Sequence, residues 1–417
     1  MDFVTNYWFP VSQWLAELNR PVFLFSVAGI QLLALLALCR WRWRDYFIPR
    51  SLLAQKVETE EPAEEPLFLS RPLQVSIVIP CYNSAEALEA NLPAFLEQRF
   101  DDYEVIVVDE ASTDDTSVIL QRLEARYSHL RHTFVPDTAR YVSRIKLAVT
   151  LGVRAARAPW IVLTTPDACP RNEQWLATLA QHFSDEADFV LGCATYAEAA
   201  GAKRAVYERL RRQLMLYRAA RSGAAIGADR ANMALRRGWF LANKGYADSL
   251  TSPLGEDDLL IAAMSRSGRT ALAVTSDAVV EEAFPGKAAL RDARIYRREV
   301  MRHWSPRGRR FLFREGAASL SAYVLLLAAL CYGLLRFAGY SASLTFPLWA
   351  CSVDVFVLLL WLLGILLPYA LLRRLSRRLA LPRFNAFYLM WEGLVQPWRH
   401  AGQRFARWRR RHDFVRR

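Results

Sequence analysis

A chain of 417 residues with a formal net charge of +13 and 53% hydrophobic residues is long enough for one large domain or two. Its six cysteines (Cys39, Cys81, Cys169, Cys193, Cys331, Cys351) show no paired spacing. That argues against a disulfide scaffold or a zinc module and for reduced thiols.

The apolar excess sits in three runs. After a predicted extracytoplasmic N-terminus over 1–20, residues 21–39 form 19 positions without a charge, enough to cross a bilayer core at ~1.5 Å per residue. Arg40, Arg42 and Arg44 follow this run rather than precede it. A cleaved signal peptide has the opposite order, so a retained anchor is expected. Residues 316–335 and 346–372 read as second and third transmembrane helices, the third interrupted only by Asp354. Residues 1–20 sum to −1, the loop between the second and third runs carries only Arg336, and residues 373–417 hold thirteen Arg against Glu392 and Asp413. The positive-inside bias then predicts a multi-pass protein of the inner (plasma) membrane. Its N-terminus would lie outside, with residues 40–315 and the tail cytosolic. The tail mixes Trp398, Phe405 and Trp408 with its arginines. Following directly on a span, this predicts an interfacial helix on the anionic inner leaflet over about 381–400. No nucleic-acid partner is expected.

Residues 40–72 join a basic juxtamembrane segment to an acidic linker with Glu58, Glu60, Glu61, Glu64, Glu65, Pro62 and Pro66, a solvated composition. From Gln74 the pattern changes. Short apolar strands are expected at 74–80, 104–109, 132–136, 160–164 and 189–192, with helical segments at 84–98, 114–127, 142–157 and 172–184. This alternation implies crossover connections and an α/β doubly wound, mainly parallel sheet in a cytosolic domain over 73–310, with transmembrane helices flanking it. Such sheets bind ligands beyond the carboxyl ends of their strands, where the polar motifs fall.

In IVIPCYNSAEAL (77–88) a buried strand ends at Pro80, and Asn83 or Ser84 can cap a helix whose N–H groups are then exposed. In VIVVDEASTDDT (105–116), Asp109 and Glu110 end a strand where they can accept hydrogen bonds from a base or ribose; Thr113 with a downstream acid can equally be a simple cap. In LTTPDACP (163–170) one carboxylate, Asp167, stands in a turn, with Thr165 two residues before it. SPLGEDDLL (252–260) opens a helix with three acids, a placement that the helix dipole alone would favour. YRREVMRHWSPRG (296–308) is basic and precedes the second apolar run, where anionic lipid would attract it.

Taken in order, these motifs resemble those of family 2 glycosyltransferases of the membrane-anchored bacterial type, inverting enzymes with a GT-A fold and nucleotide-sugar donors. The resemblance implies that Pro80, Tyr82, Asn83, Asp109 and Glu110 hold the donor nucleotide, although Glu110 and Ala111 stand where the family usually has Asp and Gly. It makes Lys146 a donor-facing cation and Asp167 the second acid of an Asp-x-Asp motif whose first acid is replaced by Thr165. Mg2+ or Mn2+ would then be held weakly by Asp167 and the donor's own phosphates, and Thr165→Asp would tighten it. Asn232, in GADRANMALRRGWF (227–240), would line the acceptor side. In Gly-Glu-Asp the family match makes Asp257 the catalytic base, with Glu256 beside it, because a single inverting displacement needs a carboxylate to take the acceptor hydroxyl's proton. Arg302 would offset charge on the leaving diphosphate, with His303 and Trp304 on the acceptor side and Trp304 stacking on a sugar. Glu299 occupies the place of the family's Gln.

The implied activity is that of a hexosyl- or N-acetylhexosaminyltransferase. A UDP- or GDP-sugar would supply the sugar, and a lipid-linked or growing glycan would accept it. A processive polysaccharide synthase, and a degenerate non-catalytic subunit that binds nucleotide sugar or scaffolds other proteins, are the alternatives.

Overall fold

The computed structural model describes residues 75–136, 142–197, 202–251, 258, 260–261, 270–301 and 304–343, with scattered positions between 29 and 36 and between 355 and 391. Two compact units emerge. The larger comprises residues 48–311, 374–383 and 403–417; the smaller comprises 1–47, 312–373 and 384–402.

The larger unit is built on β1 (Val75–Cys81), β2 (Tyr103–Asp109), β3 (Leu130–Phe134), β4 (Trp160–Leu163), β6 (Phe189–Leu191), β8 (Met233–Arg236) and β9 (Thr270–Leu272). They form one sheet in the order β3-β2-β1-β4-β8-β6-β9. The pairs β3-β2, β2-β1 and β1-β4 are parallel, whereas β8 runs antiparallel to both β4 and β6. Helices α1 (Ala85–Leu96), α2 (Thr116–Arg126) and α3 (Arg144–Ala155) provide the parallel crossovers, and α4 (Trp175–Ala180) follows β4. The expected mainly parallel sheet is present. The strand that reverses direction is β8, inserted between β4 and β6, which the alternation of motifs did not reveal.

β1 is buried along its whole length, as suits the centre of a sheet covered on both faces. Val75, Ile77, Ile79, Val105 and Val107 pack with Leu88, Leu92 and Phe95 of α1 in one continuous core, and each such side chain contributes roughly 1.5–3 kcal/mol when fully buried. On the other face α3 lies against β1 so closely that a Cβ at Gly152 would come within 2.3 Å of Val78 Cγ1. Only glycine permits that approach.

A second sheet, β5-β10-β7, combines β5 (Ala168–Pro170), β10 (Val279–Glu282) and β7 (Cys193–Tyr196). Helix α5 (Lys203–Arg221) packs near it, and α6 (Arg237–Ala242), α7 (Gly286–Val300) and α8 (Pro306–Ser343) complete the described helices.

At the amino-terminal edge of the main sheet, Glu104 is 5% exposed. It accepts bonds from Ser76 Oγ at 2.7 Å, the Arg157 backbone N–H at 2.8 Å and Arg131 at 2.5 Å. Burial alone would raise its pKa, but these donors more than offset that and hold it below the ordinary value. Charged hydrogen bonds contribute about 1.5–3 kcal/mol each, and Arg131 and Arg157 stay partly solvated without their partner. Glu104→Gln should therefore cost about 2 kcal/mol at neutral pH in urea unfolding. A carboxylate depressed on folding stabilises above its unfolded pKa and loses that contribution as pH falls through the folded value. The gap between wild type and variant should thus close in acid.

In the smaller unit, the apolar side chains described on α8 (Leu320, Val324, Leu327 and Leu334) are exposed. Their spacing of four, three and seven places them on one face. Among the described residues no helix is long and apolar enough to cross a membrane. The expected spans over 21–39 and 346–372 lie almost wholly outside those residues, as do many side chains of 316–335, the linker over 40–72 and most of the tail.

Candidate active site

The chain leaves β1 toward β2 on one side and later returns to β4 on the other, so the strand order reverses at β1. The crevice beyond the carboxyl ends at such a reversal is where doubly wound sheets bind ligands. Both rims of this crevice carry expected site residues.

On the first rim the two strand-end motifs are laced together. The Asn83 backbone N–H donates to Ser112 Oγ at 2.8 Å, and Asn83 Oδ1 accepts from the Thr113 backbone N–H at 2.8 Å. Asn83 holds a left-handed φ of 46°, which asparagine tolerates better than most residues. The Ser84 N–H donates to Thr116 Oγ1 and the Ala85 N–H to Asp114 Oδ2, both at 3.1 Å. The entry to α1, expected to present bare N–H groups, is thus closed by side chains of the neighbouring turn. Asp109 Oδ1 accepts from both the backbone N–H and the hydroxyl of Ser112, at 3.0 and 2.5 Å. The Glu110 backbone N–H donates to the Cys81 carbonyl at 2.8 Å, and Arg144 Nη1 reaches the Glu110 carbonyl at 3.1 Å. Pro80 is the penultimate residue of β1, paired with Val108, and the Tyr82 ring beyond it is exposed. Burial drives the Cys81 thiol pKa well up, with Asp109 and Glu110 adding to the effect. Cys81 is therefore a buried neutral thiol beside two carboxylates rather than a nucleophile.

Ala111, where the family usually has Gly, adopts φ 63°. The left-handed region costs an L-residue about 1–2 kcal/mol, whereas glycine carries an entropic cost of roughly 0.5–1 kcal/mol. Ala111→Gly should therefore stabilise the fold by up to about 1 kcal/mol, seen as a higher denaturation midpoint without loss of nucleotide binding.

The other rim is the turn after β4. Thr164 anchors it, its hydroxyl donating to the Ala231 carbonyl at 2.9 Å, while Asn91 of α1 donates to the Pro166 carbonyl at 2.9 Å. Asp167 is exposed. Partial desolvation of the turn raises its pKa, and the charge of Glu282 adds to the rise. A cation would relieve that negative field. Among the described residues no three metal-binding side chains gather into a cage; a divalent ion held by Asp167 would take its other ligands from the donor's phosphate oxygens.

Three expected contacts point inward instead. Lys146 is fully buried, its ammonium donating to the Ser249 carbonyl at 2.8 Å and lying 6.0 Å from the Tyr246 ring centre. It ties the first turn of α3 to the segment leading to the acidic motif. Asn232 is 1% exposed and donates to the Cys193 and Ala278 carbonyls at 2.8 and 2.6 Å. Gly192 packs so close that a Cβ there would meet this amide at 2.4 Å. Asn232 joins strands and lines no open surface. Trp304 is 5% exposed, too buried to offer a face to a sugar.

Asp257, Glu256, Arg302 and His303 lie outside the described residues. What flanks them is described. The Ser143 N–H donates to the Leu250 carbonyl at 2.8 Å, which fixes the entry to the Gly-Glu-Asp segment. At its exit Asp258 is buried, with Arg212 at 3.4 Å. Its carboxylate sits over Gly227, where an added Cβ would be 1.9 Å from Oδ1. Glycine at 227 is what lets the two motifs meet.

Sequence reasoning missed a buried ion network behind the β4 turn. Arg209 of α5, 6% exposed, makes two bonds to Asp229 at 2.9 and 3.0 Å and a third contact to Glu282 at 2.5 Å. Burial would raise the Asp229 pKa, but Arg209 and then Arg212 hold it far below the ordinary range. Arg209 sits among other arginines in KRAVYERLRRQLMLYRAAR, so nothing in the local sequence separates the buried cation from solvated ones.

Residues 76–241 match the Glycosyl transferase family 2 domain. Validoxylamine A glucosyltransferase of Streptomyces hygroscopicus is 31% identical over 122 residues, spanning 28% of either chain. Among solved structures, a mannosyltransferase of Pyrobaculum calidifontis in complex with GDP-Man and Mn2+ aligns at 20% identity with a TM-score of 0.47, over 90% of this chain and 99% of that one. TarS of S. aureus aligns at 17% identity with a TM-score of 0.38, over 51% of this chain and 37% of the other. The matched segment holds the donor rim, the β4 turn and β8, so residues 76–241 are identified as a glycosyl transferase family 2 domain.

Proposed function

We propose that this protein is a membrane-anchored inverting glycosyltransferase. It takes a hexosyl or N-acetylhexosaminyl group from a UDP- or GDP-sugar and passes it to a lipid-linked or growing glycan acceptor. The observation that carries the reading is the crevice at the β1 reversal, with Asp109 and Glu110 on one rim and Asp167 on the other, inside a family 2 domain.

In this reading the nucleotide lies along the first rim. The Tyr82 ring is available to the base and Asp109 to the ribose. The diphosphate reaches the Asp167 turn, where a bound Mg2+ or Mn2+ supplies charge stabilisation to the departing phosphate oxygens. Asp257 takes the proton of the acceptor hydroxyl as that oxygen attacks the anomeric carbon, and Arg302 offers paired N–H donors to the leaving group. Lys146 and Ser143 hold the approach to Asp257 rather than touch the donor.

Membrane anchoring is supported by charge asymmetry and by the exposed apolar face of α8. The test uses the full chain in membranes, offered a panel of nucleotide sugars with and without Mg2+ or Mn2+. Metal-dependent release of nucleoside diphosphate is expected with one of them, and silence across the panel would defeat the enzymatic reading. Protease added from outside should reach only the termini of the outer segments, 1–20 and 336–345.

A further inference from the structure

The turn after β4 has one acid where the family resemblance expects two, and the other is supplied from a distant strand. Glu282 ends β10 and is paired across the antiparallel β5-β10 ladder with Ala168, the residue after Asp167. Thr165 Oγ1 donates to Glu282 Oε1 at 2.7 Å. The other carboxylate oxygen is held by Arg209 at 2.5 Å. Arg209 is itself fixed by its two bonds to Asp229, while Arg212 is turned to Asp258. Glu282 therefore cannot swing away, and its backbone carbonyl is tied to the Ala197 N–H at 2.9 Å. Two carboxylates share the Arg209 guanidinium, while Arg212 and Arg297 also act on Asp229, so Glu282 keeps Arg209 and Thr165 as its side-chain partners.

We propose that Glu282 is a positioning residue that takes over the work of the absent first acid, acting through Thr165 to set the charge and shape of the turn in which Asp167 holds the donor's divalent cation. The inference rests on the glycosyltransferase reading above. An acid at position 165 and a carboxylate at position 282 are alternatives, because both would claim the same space and the same share of Arg209. Threonine at 165 is then the matching choice. It donates the hydrogen bond that an ionised acid cannot.

The test measures Mn2+ binding directly, by the electron paramagnetic resonance of free Mn2+, with the full-length protein in detergent and saturating UDP or GDP. Glu282→Gln keeps an acceptor for Thr165 and Arg209 but removes the charge, and it should weaken Mn2+ binding by roughly 10–100-fold, the usual range for groups that support a metal ligand. Thr165→Asp alone, which the motif by itself suggested would tighten the metal, should instead give no tightening, because the new carboxylate faces Glu282. The double variant Thr165→Asp/Glu282→Gln should return binding to near the wild-type level, a rescue that a merely structural Glu282 would not give. Wild-type Mn2+ affinity in Glu282→Gln, with loss in Asp167→Asn, would overturn the role of Glu282 and leave the glycosyltransferase reading intact. Silence in Asp167→Asn as well would remove the metal turn and both proposals with it. Should Glu282→Gln fail to unfold cooperatively, Thr165→Val replaces it. That variant cuts the link and spares the Glu282–Arg209 pair, and unaltered Mn2+ affinity in it would equally sink the proposal.

Discussion

Asp257→Asn should lower sugar transfer by about 10²–10⁴-fold, the usual contribution of a positioned general base, while nucleotide-sugar binding and the melting temperature stay near wild type. The expectation follows from how the segment carrying Asp257 is held. Its entry is tied through Leu250 to Ser143 and through Ser249 to Lys146. Its exit is fixed by Asp258 over Gly227 and beside Arg212. Asp258 is buried beside Arg212, so under the proposed function the proton transfer falls to Asp257. Asparagine preserves volume and hydrogen bonding but cannot accept the acceptor's proton. Initial rates with saturating donor, beside a binding isotherm for the nucleotide sugar, separate the two effects. A variant with undiminished turnover would remove Asp257 from the mechanism. A variant that loses binding and rate together would make it a structural residue of the donor pocket.

Arg209→Met should destabilise the catalytic domain by roughly 3–5 kcal/mol, the cost of leaving buried charges without their partner. Here two carboxylates lose their shared ion-pair partner, because Asp229 and Glu282 both bond the same guanidinium, although Gln213 and Arg212 remain beside Asp229. Methionine fills comparable volume, so the loss reports on charge rather than on a cavity. The pH dependence distinguishes this from ordinary misfit. Arg209 pulls the Asp229 pKa below its unfolded value of about 3.9, so that stabilisation is complete above the unfolded value and disappears only as pH falls through the folded one. The deficit of the variant should therefore be greatest near neutrality and shrink in acid, when the stranded carboxylates protonate. Chemical denaturation at neutral pH and near pH 4 would show it, and a deficit independent of pH would point to packing alone.

The parallel half of the fold was readable residue by residue. Strands 74–80, 104–109 and 160–164 and the helices between them carry their signal locally, in runs of Val and Ile followed by polar turns; the observed β4, α1, α2 and α3 fall within those bounds, and β1 and β2 overrun them by one residue each. The second sheet was not readable. β5, β7 and β10 are three or four residues long, too short for a periodicity to register, and they exist because their partners are supplied by segments up to about a hundred residues away.

The candidate site divides along the same line. Asp109, Glu110 and Asp167 could be singled out because they follow their strands directly, and a strand's end is a local property that composition marks. Which side chains face the crevice is not local. Lys146 and Asn232 sit in motifs of the expected order, yet packing of α3 against the 246–250 segment and of β8 against β6 turns both inward. The acid missing at Thr165 could be seen from the sequence, since it is an absence within a short motif. Its replacement could not, because Glu282 reaches the turn only through the pairing of β10 with β5 and the grip of a buried arginine. The amino-acid order by itself marked the family-like motifs, the parallel strands and the strand ends where the crevice lies, because each is signalled by a short run of neighbouring residues. Tertiary structure alone decided which charges share that crevice, because electrostatic partners are chosen by distance in space and by burial, and neither is written in local order.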